Sequence, residues 1–179
     1  SLATGAAQKA TSTIPIVMGT VGDPVRDGFI KSLAHPGGNT TGRSNMSGEV
    51  SQRQVEMLLD MLPKLSLVAI LVNPGNPSNL ATLLRVQTEA QKRGLKVLRT
   101  EAKSPQEIDS AFALMRQRNA GALIVLPETF FQQQKGQIAE LAAKHRLPAV
   151  AQDRIFAEAG LLMSYGPNLA DQYRRAATY

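Results

Sequence analysis

The sequence predicts an α/β protein built on doubly wound parallel sheets and divided into two lobes, one complete and one partial. Leu67–Val72 is an unbroken apolar run of strand length with β-branched residues, which suits a parallel strand covered on both faces. From Leu67 to Tyr165, strand-length runs alternate with helical patterns and supply five strands with their crossovers, enough for a complete sheet. Ser1–Met46, by contrast, supplies only two strands. Two lobes explain this better than one sheet of seven strands.

Composition narrows the function classes. At 179 residues and 43% hydrophobic content, the chain suffices for one ordinary domain or two small lobes. No run approaches the roughly 18 apolar residues of a membrane-spanning helix. With no cysteine, disulfide scaffolds, thiolate zinc sites and cysteine nucleophiles are all excluded. The formal net charge is +6 and the isoelectric point about 9.9. Yet Lys and Arg are scattered singly, apart from Lys92-Arg93 and Arg174-Arg175, and aromatics make up only 4%. A nucleic-acid partner is therefore poorly supported, because base-stacking platforms are poorly supplied and the basic residues are scattered.

In chain order, Ser1–Thr13 is Ala-rich and helical in character, but it has neither the basic start nor the long apolar core of a signal peptide. Ile14–Val21 reads as a strand. Asp23 then offers a helix cap and Pro24 a first helical position, with Val25, Phe29, Ile30 and Leu33 as an apolar stripe ended by His35-Pro36-Gly37-Gly38-Asn39. Thr40–Met46 is a short strand. A helix at about Glu49–Leu62 has Ser51 and Gln54 at capping-box spacing and is stopped by Pro63.

The second lobe opens with the strand Leu67–Val72. Asn73-Pro74-Gly75-Asn76-Pro77 breaks it, and a helix follows to about Arg93, closed by Gly94. Leu95–Arg99 is a strand. Ser104-Pro105-Gln106-Glu107 forms a second capping box ahead of Ile108, Ala111, Phe112 and Met115. Gly121–Leu126 is a strand, followed by the loop Pro127-Glu128-Thr129 and a helix carrying Ile138, Leu141 and Ala142. Leu147–Ala151 is a strand, Asp153 caps a short helix ending at Gly160, Leu161–Tyr165 is the last strand, and Asn168–Tyr179 begins a helix. That helix has no capping glycine and the first strand has no preceding βα unit, so the expectation is a fragment of a longer protein.

Several enzyme classes fail against the residues. There is no G-x-x-x-x-G-K-[ST], no G-x-G-x-x-G after a strand and no G-x-S-x-G elbow. His35 lies in a turn and His145 at a helix end, where it complements the dipole, and neither belongs to a cluster with metal-ligand spacing. What remains is a set of polar residues at strand carboxyl ends: Asp23 after Gly22, Asn45, Asn76, Thr129, Asp153 and Tyr165. Each has a structural alternative as a cap, turn or packing residue. Together they suggest a cleft, since ligands of open α/β sheets bind outside the strands' carboxyl ends. Asp23 and Asp153 could meet an ammonium, while helix N-termini suit a carboxylate. Such a cleft would select a small zwitterion such as an amino acid without a group suited to transform it.

Five motifs then stand out: I-P-I-V-x-x-x-V-G-D-P-V at 14–25, H-P-G-G-N-T-T-G at 35–42, V-A-I-L-V-N-P-G-N-P at 68–77, H-R-L-P-A at 145–149 and E-A-G-L-L-M-S-Y-G-P at 158–167. In this order, over nearly the whole chain, they resemble the bacterial ABC-transporter substrate-binding protein family related to the tryptophan/phenylalanine-binding proteins. The resemblance implies a type I periplasmic-binding-protein fold with two Rossmann-like lobes. It implies a pocket involving Asp23, Asn76, Thr129, Asp153 and Tyr165, and an N-terminal segment with an export signal and the first strands of lobe one. Leu161 stands where family members commonly carry a glycine.

The expected function is the solute-binding component of an ABC importer, not an enzyme, that captures a small polar or zwitterionic organic solute in an interlobe cleft by hinge closure. A ligand-sensing regulatory domain of the same fold is the alternative. Expected partners are the solute, an ABC permease and its ATPase, with no nucleic acid and with the membrane reached only through the permease. Neither cofactor nor metal is expected, and the location is periplasmic or exported and tethered. The expected domains are a partial first lobe at 1–47, a crossover helix and linker at 48–66, a complete second lobe at 67–166, and at 167–179 the start of a helix returning to the first lobe.

Overall fold

A computed structural model describes residues 2–44 and 47–178. They fall into two compact units, one formed by 1–47 with 167–179 and the other by 48–166.

The second unit is an α/β sandwich around a five-stranded parallel sheet. Its strands are β3 (Leu67–Val72), β4 (Lys96–Glu101), β5 (Ala122–Val125), β6 (Ala149–Ala151) and β7 (Met163–Ser164), in the order β4-β3-β5-β6-β7. All four pairings are parallel. The period of two along each strand divides the core. Ala69, Leu71, Leu123, Val125, Ala149 and Ala151 face one layer; Val68, Ile70, Val72, Ala122, Ile124 and Val150 face the other. Helices α2 (Ser47–Met61) and α3 (Pro77–Lys92) cover the second face, with Val55, Leu58, Leu83, Val86 and Ala90 buried against it. The first face is covered by α4 (Pro105–Gln117), α5 (Thr129–Gln133), α6 (Lys135–Lys144) and α7 (Arg154–Glu158), which bring Phe112, Phe131, Ile138 and Phe156. Each such fully buried side chain contributes about 1.5–3 kcal/mol by removal from water.

Helix ends in this unit follow local chemistry. Ser104 is extended and its hydroxyl accepts from the Glu107 N–H, as the capping box predicts, while the Glu107 carboxylate accepts from the Lys103 N–H, one residue before the cap. At the other end of α3, the N–H of Leu95 reaches the carbonyl of Ala90 and that of Gly94 the carbonyl of Gln91, the paired bonds of a Schellman stop. Asn119 and Arg146 end α4 and α6 in the same way with positive φ. Leu161 is buried one residue beyond the equivalent stop of α7 at Gly160, and its N–H donates to the Phe156 carbonyl. His145 caps α6 and stacks on Phe112, which agrees with its structural reading.

Two local expectations fail here. The box predicted at Ser51 and Gln54 does not exist, because α2 already begins at Ser47 and both residues are buried inside it. The single helix expected after Thr129 is two, α5 and α6, meeting at Gln134.

The first unit contains α1 (Leu2–Ala10), the parallel pair β1 (Ile16–Val21) and β2 (Thr40–Ser44), and α8 (Leu169–Ala176). Gly42 has φ +135, and a Cβ there would lie 2.2 Å from the Met18 carbonyl oxygen, so the last glycine of H-P-G-G-N-T-T-G lets the two strands approach. Asn39 ties the preceding turn to the start of β1, its amide donating to the Ile14 carbonyl at 2.7 Å. Asn168 caps α8 by accepting from Asp171 N–H.

The helix predicted after Asp23-Pro24 is absent. Asp23 Oδ1 does accept from the Arg26 N–H, as a cap would, but the chain makes one turn only. Gly28, at φ +76, then closes it with Schellman-type bonds from Phe29 to Pro24 and from Gly28 to Val25. Val25 and Leu33, read as part of one apolar stripe, are exposed.

Candidate functional site

The sheet order of the second unit decides where a ligand would sit. From β3 the chain moves outward to β4, then returns across β3 to β5, β6 and β7 on the other side. The direction of winding therefore reverses between β3 and β5, and the crevice outside the carboxyl ends of these two strands is the topological switch point. The loops there are Asn73–Asn76 after β3 and Leu126–Glu128 after β5.

Local chemistry shapes both loops. Asn73 Oδ1 accepts from the Gly75 N–H at 2.9 Å, and the Asn76 N–H returns to the Asn73 carbonyl, a tight turn fixed by its own side chain. It delivers Asn76 to the start of α3. From there Asn76 Nδ2 donates to Glu128 Oε2 at 2.6 Å, and Asn79 Nδ2, one helical turn further on, donates to the same oxygen at 3.3 Å. Asn79 is buried; Asn76 and Glu128 are half-buried. Both donors are neutral amides, so they orient the carboxylate without neutralising it. Among the described residues no cation forms an ion pair with Glu128.

Along the same edge, Asp153 follows β6. Its backbone is the N-cap of α7, yet its side chain makes no cap bond and instead Oδ2 accepts from Gln132 Nε2 at 2.7 Å. The carboxylate is therefore not engaged in the capping role open to it. Tyr165 follows β7; its N–H pairs with the Ala151 carbonyl, its own carbonyl accepts from Gln54 Nε2 at 3.0 Å, and its ring is exposed.

The structure thus places Asn76, Thr129, Asp153 and Tyr165 at the carboxyl ends of four adjacent strands, β3, β5, β6 and β7. Thr129 is exposed at the first position of α5. Asp23 belongs to the first unit, where it follows β1 by two residues. Asn45 lies outside the described residues. Three residues that join these positions were missed: Glu128, Asn79 and Gln132. Asn79 carried a readable signal, three positions after Asn76 and so on the same helical face. Glu128 and Gln132 carried none, because their partners come from other strands.

Comparison with known proteins fits this geometry. The family model described as ABC transporter substrate binding protein matches residues 1–179. A tyrosine-binding protein of Clostridioides difficile is 24% identical over 161 residues, 90% of this chain and 46% of the relative, so the chain spans about half the length of that curated relative. Among solved structures, a conserved domain protein from Vibrio cholerae aligns with TM-score 0.82 at 25% identity, over 98% of this chain and 58% of that one. The ABC domain from Streptococcus pneumoniae in complex with L-Trp aligns with TM-score 0.77 at 22% identity, over 98% of this chain and 60% of that one. A ligand-free, open substrate-binding protein with adhesive properties from Clostridium difficile aligns with TM-score 0.73 at 24% identity, over 97% and 58%. These likenesses carry the fold of the type I periplasmic binding proteins, and the family is one of binding proteins rather than enzymes. The chain belongs to the ABC transporter substrate binding protein family.

Proposed function

We propose that this chain forms part of the solute-binding component of an ABC importer and that its solute is a small zwitterion of amino-acid type. The observation that carries this reading is the polar edge at the switch point, where Asn76, Asn79 and Glu128 converge beside Asp153 on the next strand. An edge rich in amides and carboxylates suits a solute that both donates and accepts hydrogen bonds. The names of the tyrosine-binding relative and of the L-Trp complex support the same solute class. Asp23, Thr129 and Tyr165 are proposed as further contacts from the family pattern, and Asn45 from its place in the sequence after the strand beginning at Thr40.

In this reading the solute stabilises whichever conformation it binds more tightly, and a permease driven by its ATPase reads that conformation. The protein would act outside the cytoplasmic membrane, exported or tethered there. Thermal-shift screening of the full-length protein against amino acids, oligopeptides and aromatic acids tests the proposal, because a ligand that binds only the folded form raises the midpoint. A rise with an amino acid is expected. No rise with any of them, or turnover of one, would overturn it.

A further inference from the structure

We propose that Glu128 is the receptor for the primary ammonium group of the solute, and that Asn76 and Asn79 are positioning residues that aim its carboxylate. The inference deepens the amino-acid reading above and rests on it.

The geometry at Glu128 differs from that of the second unit's carboxylates that are held in ion pairs. Glu56 is paired with Arg53 and Arg93, Glu89 with Lys92, Glu101 with Arg99 and Glu158 with Arg154. Each of those anions has its cation within the fold. Glu128 is held by two amides on one oxygen, Oε2, and among the described residues no hydrogen bond or ion pair reaches Oε1. A half-buried anion fixed by neutral donors keeps its charge available, and the partner that best completes it is an N–H-bearing cation forming a charge-assisted hydrogen bond. Its place fits the role, since it lies at the switch point, where open sheets bind ligands. Both amides also sit on α3 or the turn leading into it, three residues apart, so one helix start fixes both donors against a carboxylate from the neighbouring strand's loop.

Asp153 shares one feature, a single amide donor from Gln132, but that is one bond rather than two. Glu128 is therefore the better-built anion, and the solute it selects must carry an ammonium. Carboxylic acids of the same shape without the amine would leave the carboxylate facing an apolar or anionic group, an arrangement sites built for an N–H discriminate against strongly.

The test is a binding panel on the full-length protein: the proteinogenic L-amino acids, L-tyrosine and L-tryptophan among them, each beside its desamino acid, followed by thermal shift and calorimetry. The expected result is that one or more amino acids bind and their desamino counterparts do not, and that Glu128→Gln weakens the amino acid about tenfold to a hundredfold, the loss typical of a hydrogen bond to a charged group. Equal binding of an amino acid and its desamino counterpart overturns the assignment while leaving the amino-acid reading intact. Unchanged affinity in a folded Glu128→Gln does the same. Should that variant fail to fold, the comparison on the unaltered protein decides alone. If no amino acid binds, the functional reading falls and this inference falls with it.

Discussion

Asn76 and Glu128 stand 52 positions apart in sequence, and their side chains meet at 2.6 Å between the loops that follow β3 and β5. That bond joins the two strands at which the sheet reverses its direction of winding, so it ties the place where a ligand would bind to the element that opens the unit.

The first prediction concerns Asn79, the buried second donor to Glu128. Asn79→Ala leaves an unfilled space and removes one donor from a charged acceptor, and it is expected to cost about 1–3 kcal/mol in chemical denaturation. Asn79→Asp sets a second carboxylate against Glu128. Its cost should be greater at neutral pH than in acid, where protonation relieves the like-charge contact. A loss independent of pH would mean that Asn79 serves packing alone.

What the sequence disclosed and what it hid follow from the range of the interactions. Leu67–Val72, Ser104-Pro105 and Gly94 were readable because their chemistry is local: a run buried on both faces, a hydroxyl three residues from its N–H, a glycine in left-handed conformation. The turn at Asp23-Pro24 misled because its opening looks like a helix start and Val25, Phe29 and Ile30 keep helical spacing. Gly28, four residues on, ends it before any apolar face can be buried. Ser51 and Gln54 misled for the opposite reason, since the helix starts earlier and Gln54 spends its amide on Tyr165, 111 positions away. At the candidate site, Asn76 and Asp153 were legible from their place after strands. Glu128 and Gln132 gained meaning only when strand order set them beside those residues.

Asp153 separates a capping role from a ligand role. Its carboxylate accepts from Gln132 and not from the first turn of α7. Asp153→Asn, which keeps an oxygen able to accept that amide, is therefore expected to change stability by less than about 1 kcal/mol. Binding of the amino acid should nonetheless weaken, measured by calorimetry. Unchanged affinity in a folded Asp153→Asn would remove the ligand role, since asparagine caps a helix start as well as aspartate does.

Gly42 provides a test of the first unit by itself. A methyl group there would meet both the oxygen and the nitrogen of Met18, backbone atoms of the paired strand, at a φ that side chains rarely adopt. Gly42→Ala is expected to cost about 1–3 kcal/mol in backbone strain before the clash is counted. Hydrogen exchange locates the damage. Amides of β1 and β2 should lose protection while those of β3 and β5 keep theirs, and uniform loss through both units would contradict the division into separate compact units.

Glu56 gives the pH dependence of the packing of α2 on α3. Its carboxylate accepts from Gln52 and pairs with Arg53 on its own helix, and with Arg93 at the end of α3. The Gln52 hydrogen bond foremost, then that of Arg53, with the charges of Arg93 and Arg53, hold its pKa below the ordinary 4.5 against the opposing desolvation by burial. A carboxyl lowered in the folded state binds fewer protons there than when unfolded, so its stabilisation is complete above 4.5 and is lost as pH falls through the lowered value. The group is partly exposed, and the effect is correspondingly small and weakened by salt. Glu56→Gln should therefore lower the melting midpoint slightly at neutral pH, less so in high salt, and the difference from the unaltered protein should vanish in acid below the lowered value. A difference that grows toward acid would reverse the sign and show that burial, not pairing, governs this carboxylate.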